Sequence, residues 1–302
     1  MQIRKRRLFA EFLLATVTVF WGATFPVVKD AVTQVPVLCF LWVRFALAAV
    51  LLVVLAGRGL RTLDLRGIRR GVLLGVLLFL SYLFQTFGLE ITSASNAGFL
   101  TGLNVVWVPL LAGPLLGKPA APGARVGVVL AVLGLLVLTW HWPWHLALGD
   151  GLVVICSVFV ALHILGLDSL TAGYDGKALA CVQITTMAVL GCIGSLAFEP
   201  VTWPRAWPME LVTALVITAV FATVYAFWIM TAFQRWTTPT RAALVYTLEP
   251  VFAALFAVVL AGEVLGVKAL AGGALVVAGM VVAQVWPPRP DALVQLDPPA
   301  SG

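Results

Sequence analysis

Nearly uncharged runs of about 20 residues follow one another along almost the whole chain. Short segments holding the arginines, lysines, prolines and glycines separate them. A run of that length is what a helix needs to cross roughly 30 Å of hydrocarbon. A helix also satisfies its own backbone polar groups where water cannot reach. Membrane strands would show short segments of alternating polarity instead. Only 11% of the residues are charged and 62% are hydrophobic, against about 25% charged in soluble domains. So much apolar surface cannot hide in one soluble core. The net charge of +6 is carried by residues spread between the apolar runs. It therefore reads as membrane anchoring, and nucleic acid is not an expected partner.

The runs predict an all-α membrane protein with ten transmembrane helices, over 9–28, 36–56, 71–90, 96–116, 124–141, 150–167, 178–198, 210–232, 241–261 and 267–286. The opening MQIRKRR and the apolar stretch after it resemble a secretory leader. No small-x-small site precedes the bulky Trp21 and Phe25, however, so this segment is expected to stay as the first span. Cys39, Cys156, Cys181 and Cys192 lie in or beside apolar runs without a CxxC pair, and are expected to be packing residues. The proline-rich tail 287–302 is expected to be a disordered cytoplasmic segment. Trp140, Trp142, Trp144, Trp203, Trp207 and Trp286 lie near the ends of the expected spans, where tryptophan anchors at the membrane interface.

Orientation follows from the lysines and arginines. With the N-terminus inside, the inner segments hold Arg4, Lys5, Arg6, Arg7, Arg58, Arg61, Arg66, Arg69, Arg70, Lys118, Arg125, Lys177, Arg235, Arg241 and Arg289. The outer segments hold Lys29, Arg205 and Lys268. Both termini are therefore expected in the cytoplasm.

The chain also repeats itself. Shifted by 145 residues, Thr92–Leu138 lies on Thr237–Ala283 without a gap, with 14 of 47 positions identical. Among them are Thr92/Thr237, Gly117/Gly262, Gly127/Gly272 and Gly134/Gly279. Near the starts of the halves the shift is 139, which pairs Thr24 with His163. Residues 1–145 and 146–286 thus read as two five-helix repeats. An odd number of spans per repeat makes the second enter from the opposite side. Inverted repeats point to a secondary transporter working by alternating access, with a central site between the halves near the bilayer midplane.

WGATFPVVK in the first run, TSASNAGFL before the fourth, GD opening the second half and EPVFAALFAVVLAGE in the ninth carry a resemblance. The chain resembles the EamA family of the drug/metabolite transporter superfamily over about residues 10–286, and is similar to the aromatic amino-acid exporters within it. The resemblance implies ten helices, a bacterial inner membrane and export of amino acids or related metabolites. One departure stands out. The first half ends in Gly117-Lys118 where the second ends in Gly262-Glu263 and many family members carry an acid in both halves.

Charges inside spans are costly and face a cavity or a partner. Arg44 and Glu249 are the two such candidates, as structural or coupling charges, with Glu249 also a cation or ammonium partner. Asn104 is the repeat mate of Glu249, which argues for a shared cavity wall. His163 lies mid-span, as a structural residue or a proton switch. Trp21 and Thr24 belong to the WGATFP segment, where Pro26 is expected to kink the helix; Pro250 is expected to do the same beside Glu249. Tyr82 with Gln85, and Tyr225 with Trp228, are each one turn apart and expected to share a face. Asn96 and Tyr246 complete the candidate substrate-binding set. Such an aromatic cavity with few polar groups suits an amphipathic organic solute. Nucleosides, cationic drugs and lipid-linked sugars stay open beside amino acids.

The chain contains no HExxH, no P-loop and no paired carboxylates within a span, so an enzyme is not expected and neither a metal nor a cofactor is called for. A channel is the other non-carrier reading. The expected partners are a small-molecule substrate and the lipid bilayer, and a single chain suffices to form the cavity.

Overall fold

The computed structural model describes residues 2–117, 122–139, 148–199, 207–264 and 266–286. Within them every regular element is helical: α1 (Gln2–Ala31), α2 (Val37–Ala56), α3 (Leu65–Ile91), α4 (Ala94–Thr101), α5 (Asn104–Leu116), α6 (Pro122–Thr139), α7 (Leu148–Leu170), α8 (Gly176–Phe198), α9 (Met209–Ala219), α10 (Ala226–Phe233), α11 (Pro239–Tyr246), α12 (Leu248–Ala261) and α13 (Val267–Val285). A π-helical turn over Val220–Tyr225 joins α9 to α10. The tail 287–302, Trp140, Trp142, Trp144 and Trp203, and the charges Lys118, Arg205 and Arg289 lie outside the described residues.

Eight helical stretches are long and apolar enough to cross a membrane, among them Lys5–Ala31, Val37–Thr62 and Leu65–Ile91. The chain is a multi-pass membrane protein. The expectation of ten spans differs from this at α6 and α13, whose apolar stretches Arg125–Gly134 and Leu270–Gly279 are shorter. Helix ends are also offset from the expected ones. The third helix starts at Leu65 rather than 71, because Asp64 accepts a hydrogen bond from the Gly67 amide at 2.7 Å and caps a turn that the basic residues had hidden. That bond holds the Asp64 carboxyl below the usual carboxylate range.

These helices are apolar on every side, so their packing and not their composition decides what is buried. In α2, Leu41, Phe45, Ala48 and Leu52 are buried while Val50 and Val54 are 65% and 75% exposed on the other face. Such a face is satisfied by lipid and not by water. Close helix pairs form where side chains are missing. A Cβ on Gly75 of α3 would come within 2.6 Å of the Gln183 carbonyl of α8, and one on Gly279 of α13 within 2.5 Å of the Gly127 carbonyl of α6. At the start of α2, the carboxylate of Glu199 accepts from the Leu38 and Cys39 amides at 2.6 and 2.8 Å. It thereby satisfies helix-start donors across two elements.

Two helix breaks correspond at the 145-residue spacing. One falls at Gly102-Leu103 between α4 and α5, the other at Thr247 between α11 and α12. The second has a covalent cause, since Pro250 offers no N–H to the carbonyl four residues back. In the first, the Asn104 side-chain Nδ2 donates to the Thr101 carbonyl at 2.9 Å. Both broken stretches end on a left-handed glycine, Gly117 and Gly262, each with φ of 65°. Pro26, in contrast, lies inside a helix that continues from Gln2 to Ala31 without interruption.

Candidate functional site

The helices surround a partly open cavity. Its walls come from α1 (Trp21, Thr24, Phe25, Val28), α2 (Arg44), α3 (Leu78, Ser81, Tyr82, Gln85, Thr86, Leu89), α4 (Thr101), α7 (Val160, His163), α10 (Phe227, Met230) and α12 (Glu249). Both sequence halves contribute.

Arg44, the eighth residue of α2, is only 2% exposed. Its Nε donates to Thr223 Oγ1 at 3.1 Å, and its guanidinium lies 5.2 Å from the Phe45 ring centre and 5.1 Å from that of Tyr82. Rings at that distance attract a cation, but they do not neutralise it. Glu249 sits in the first turn of α12 and is 6% exposed, at a helix end that favours a negative charge. Among the described residues, the ion pairs involve Glu11 with Arg7 and Arg241, and none includes Arg44 or Glu249. Tyr82 lies within electrostatic reach of both. A buried charge without a counter-charge is costly. Both side chains line the one cavity.

The remaining wall is aromatic and held by hydrogen bonds to neighbours. The Trp21 indole donates to the Ala222 carbonyl at 3.0 Å, and its ring stands 5.8 Å from both Phe227 and Tyr246. Phe227 also meets Tyr82 at 6.1 Å and His163 at 6.2 Å, both edge-on. His163 Nε2 is 2.9 Å from Gln183 Oε1, so one imidazole nitrogen is tied to α8. Gln85 donates to Thr101 at 3.1 Å, and Thr24 to the Trp21 carbonyl at 2.8 Å.

The π turn matters here, as such turns often do beside functional sites. Its wide ring lets Thr223 donate to the Thr218 carbonyl five residues back, at 2.8 Å, while accepting from Arg44. The same turn presents the Ala222 carbonyl to Trp21. Two cavity residues of the first half are thus oriented by one irregular turn of the second.

Of the residues singled out in the sequence, Trp21, Thr24, Arg44, Tyr82, Gln85, His163 and Glu249 line the cavity. Five do not. Asn104 is 1% exposed and turned to the Thr101 carbonyl, with its Oδ1 unpartnered. Asn96 is in the first turn of α4, its amide capped by Ser93. Tyr246 stands behind Trp21 with its hydroxyl on Gln234, 2.9 Å away. Tyr225 lies 2.6 Å from the Thr16 hydroxyl on α1, whereas Trp228 packs 4.9 Å from the Lys177 ammonium on α8. Neither of these two lines the cavity. Phe227, Met230, Ser81, Thr86 and Thr101 were not anticipated. Only the three hydroxyl residues left a trace, as polar interruptions in apolar runs.

Comparison with known proteins agrees with this geometry. Residues 8–140 and 147–284 each match the EamA-like transporter family. An uncharacterized transporter of Archaeoglobus fulgidus is 32% identical over 279 residues, covering 92% of this chain and 86% of the relative. A second from the same organism is 24% identical over 273 residues, covering 89% and 96%. A solved crystal structure superposes with a TM-score of 0.75 at 18% identity, covering 91% of this chain and 96% of that one, and so shares the fold. The two family matches span nearly the whole chain, and the chain belongs to the EamA-like transporter family.

Proposed function

We propose that this protein is a secondary transporter of amino acids, aromatic ones included, that binds its substrate in the cavity between two inverted five-helix halves. The observation that carries the reading is the pair of buried groups of opposite charge type, Arg44 and Glu249. They come from different halves and open on one aromatic cavity without a counter-charge among the described residues. The guanidinium suits a carboxylate and the Glu249 carboxylate an ammonium. Trp21, Tyr82 and Phe227 suit an apolar or aromatic side chain. Residues 1–145 and 146–286 form the two halves in this reading, and α6 and α13 supply the fifth and tenth spans. The cavity opens alternately to either side. The membrane is the inner membrane of a bacterial cell, with both termini in the cytoplasm, and export is the direction that the family resemblance implies.

The test is counterflow of labelled amino acids into proteoliposomes, with aromatic, small neutral and hydroxylated members in the panel. Saturable exchange of one group is the expected result. No exchange by any member, with folded protein, would move the substrate to another amphipathic class such as nucleosides or cationic drugs.

A further inference from the structure

Two hydrogen bonds at opposite ends of the bundle are related by the sequence repeat. Glu11 and Asp150 are 139 residues apart, the same spacing that pairs Thr24 with His163. Thr92 and Thr237 are 145 apart and begin the matched segment. In the structure Thr237 donates to Glu11 Oε1 at 2.9 Å, and Thr92 donates to Asp150 Oδ1 at 2.6 Å. Each bond joins the first helix of one half to the start of the fourth helix of the other. Helix α1 shows how far apart they lie. Glu11 forms one contact, and Lys29, which donates to the Thr92 carbonyl, sits beside the other. The 18 residues between Glu11 and Lys29 make about 27 Å of helix, nearly the hydrocarbon thickness.

We infer that these bonds are a matched pair of latches, one closing each mouth of the central cavity, and that transport requires them to open in turn. The inference rests on the alternating-access reading above. Moving the first helix of one half away from the fourth of the other opens one mouth and must break that mouth's bond. The inverted relation of the halves makes the same motion available at the opposite end. The latches are not equal. Glu11 is 6% exposed, with Arg241 Nη1 at 3.5 Å and Arg7 Nε at 3.8 Å. Asn96 lies 145 residues before Arg241, so a neutral residue holds the corresponding place at the Asp150 end. The Glu11 latch is a buried charged cluster, and the Asp150 latch a half-buried hydroxyl–carboxylate bond beside a lysine on a backbone carbonyl. The chain is thus biased towards keeping the Glu11 end shut and opening at the Asp150 end.

Hydrogen exchange read by mass spectrometry on the full chain in lipid nanodiscs, with no substrate, tests this. Glu11→Gln is expected to speed exchange over 235–243 and slow it over 90–97, each by about tenfold, as loss of a hydrogen bond to a charged group allows. Asp150→Asn should do the reverse. The slowing at the distant mouth is the decisive sign, because a merely structural bond loosens only its own surroundings. Changes confined to the mutated end, or of one sign at both ends, would overturn the latches. Thr237→Val and Thr92→Val remove the same bonds and stand in if a carboxylate variant does not fold. Because no substrate is present, failure here is distinct from failure of counterflow, which would sink the amino-acid reading and leave the latches standing.

Discussion

Arg44 shows how a single side chain can be buried, charged and still available. Nothing acidic among the described residues meets it, and Thr223 takes up only its Nε. Tyr82 is its other polar neighbour on the cavity wall. Thr223→Val should let the guanidinium swing and raise the KM for an amino acid about tenfold, the scale of a hydrogen bond to a charged group. The matching amine without its carboxylate should be unaffected. Glu249→Gln should show the opposite preference, losing affinity for solutes with an ammonium and sparing those with a carboxylate alone. Competition of each compound against labelled counterflow reads both. Equal losses for amine and amino acid would reduce Thr223 to a packing residue.

At the scale of the element, broken and irregular helices place the site. Glu249 reaches the cavity because the chain stops at Thr247 and begins again as α12; Trp21 and Arg44 are oriented by the π turn between α9 and α10. The regular pairs α3 and α8 act as the frame. Gly75→Val would drive two methyl groups into the Gln183 carbonyl and Thr186, both within 2.7 Å of a Cβ at that position. The expected cost is about 1–3 kcal/mol, as for overpacked cores. It should appear as a lowered unfolding midpoint in detergent with a larger loss than Gly113→Val, where a Cβ meets nothing within 4 Å. Equal midpoints would mean that α3 and α8 can separate freely.

At the scale of the whole molecule, the lysine and arginine distribution sets the expected orientation. A fluorescent protein fused after residue 302 should fold and fluoresce, while alkaline phosphatase at the same place should stay inactive. The reverse would put the C-terminus outside and reassign the Glu11 latch to the outer mouth. The latches depend on the two halves being related, which is why their threonines and carboxylates appear at corresponding places and their arginines do not.

What the sequence determined by itself is the solvent and the class of fold. Apolar runs long enough for a bilayer admit helices alone. It also marked Arg44 and Glu249, because a charge inside an apolar run stands out. It could not say which faces look inward. In a membrane helix all sides are apolar, so periodicity carries no burial signal: Leu52 is fully buried and Val54, two residues on, is 75% exposed. Hence Tyr225, Trp228, Asn96 and Asn104 looked as suited to a cavity as Tyr82 and Gln85, while Phe227 went unseen. Only the tertiary structure decided among them, because a side chain's surroundings come from helices distant in the chain. One π turn of the second half, presenting the Ala222 carbonyl to Trp21 and the Thr223 hydroxyl to Arg44, is an example.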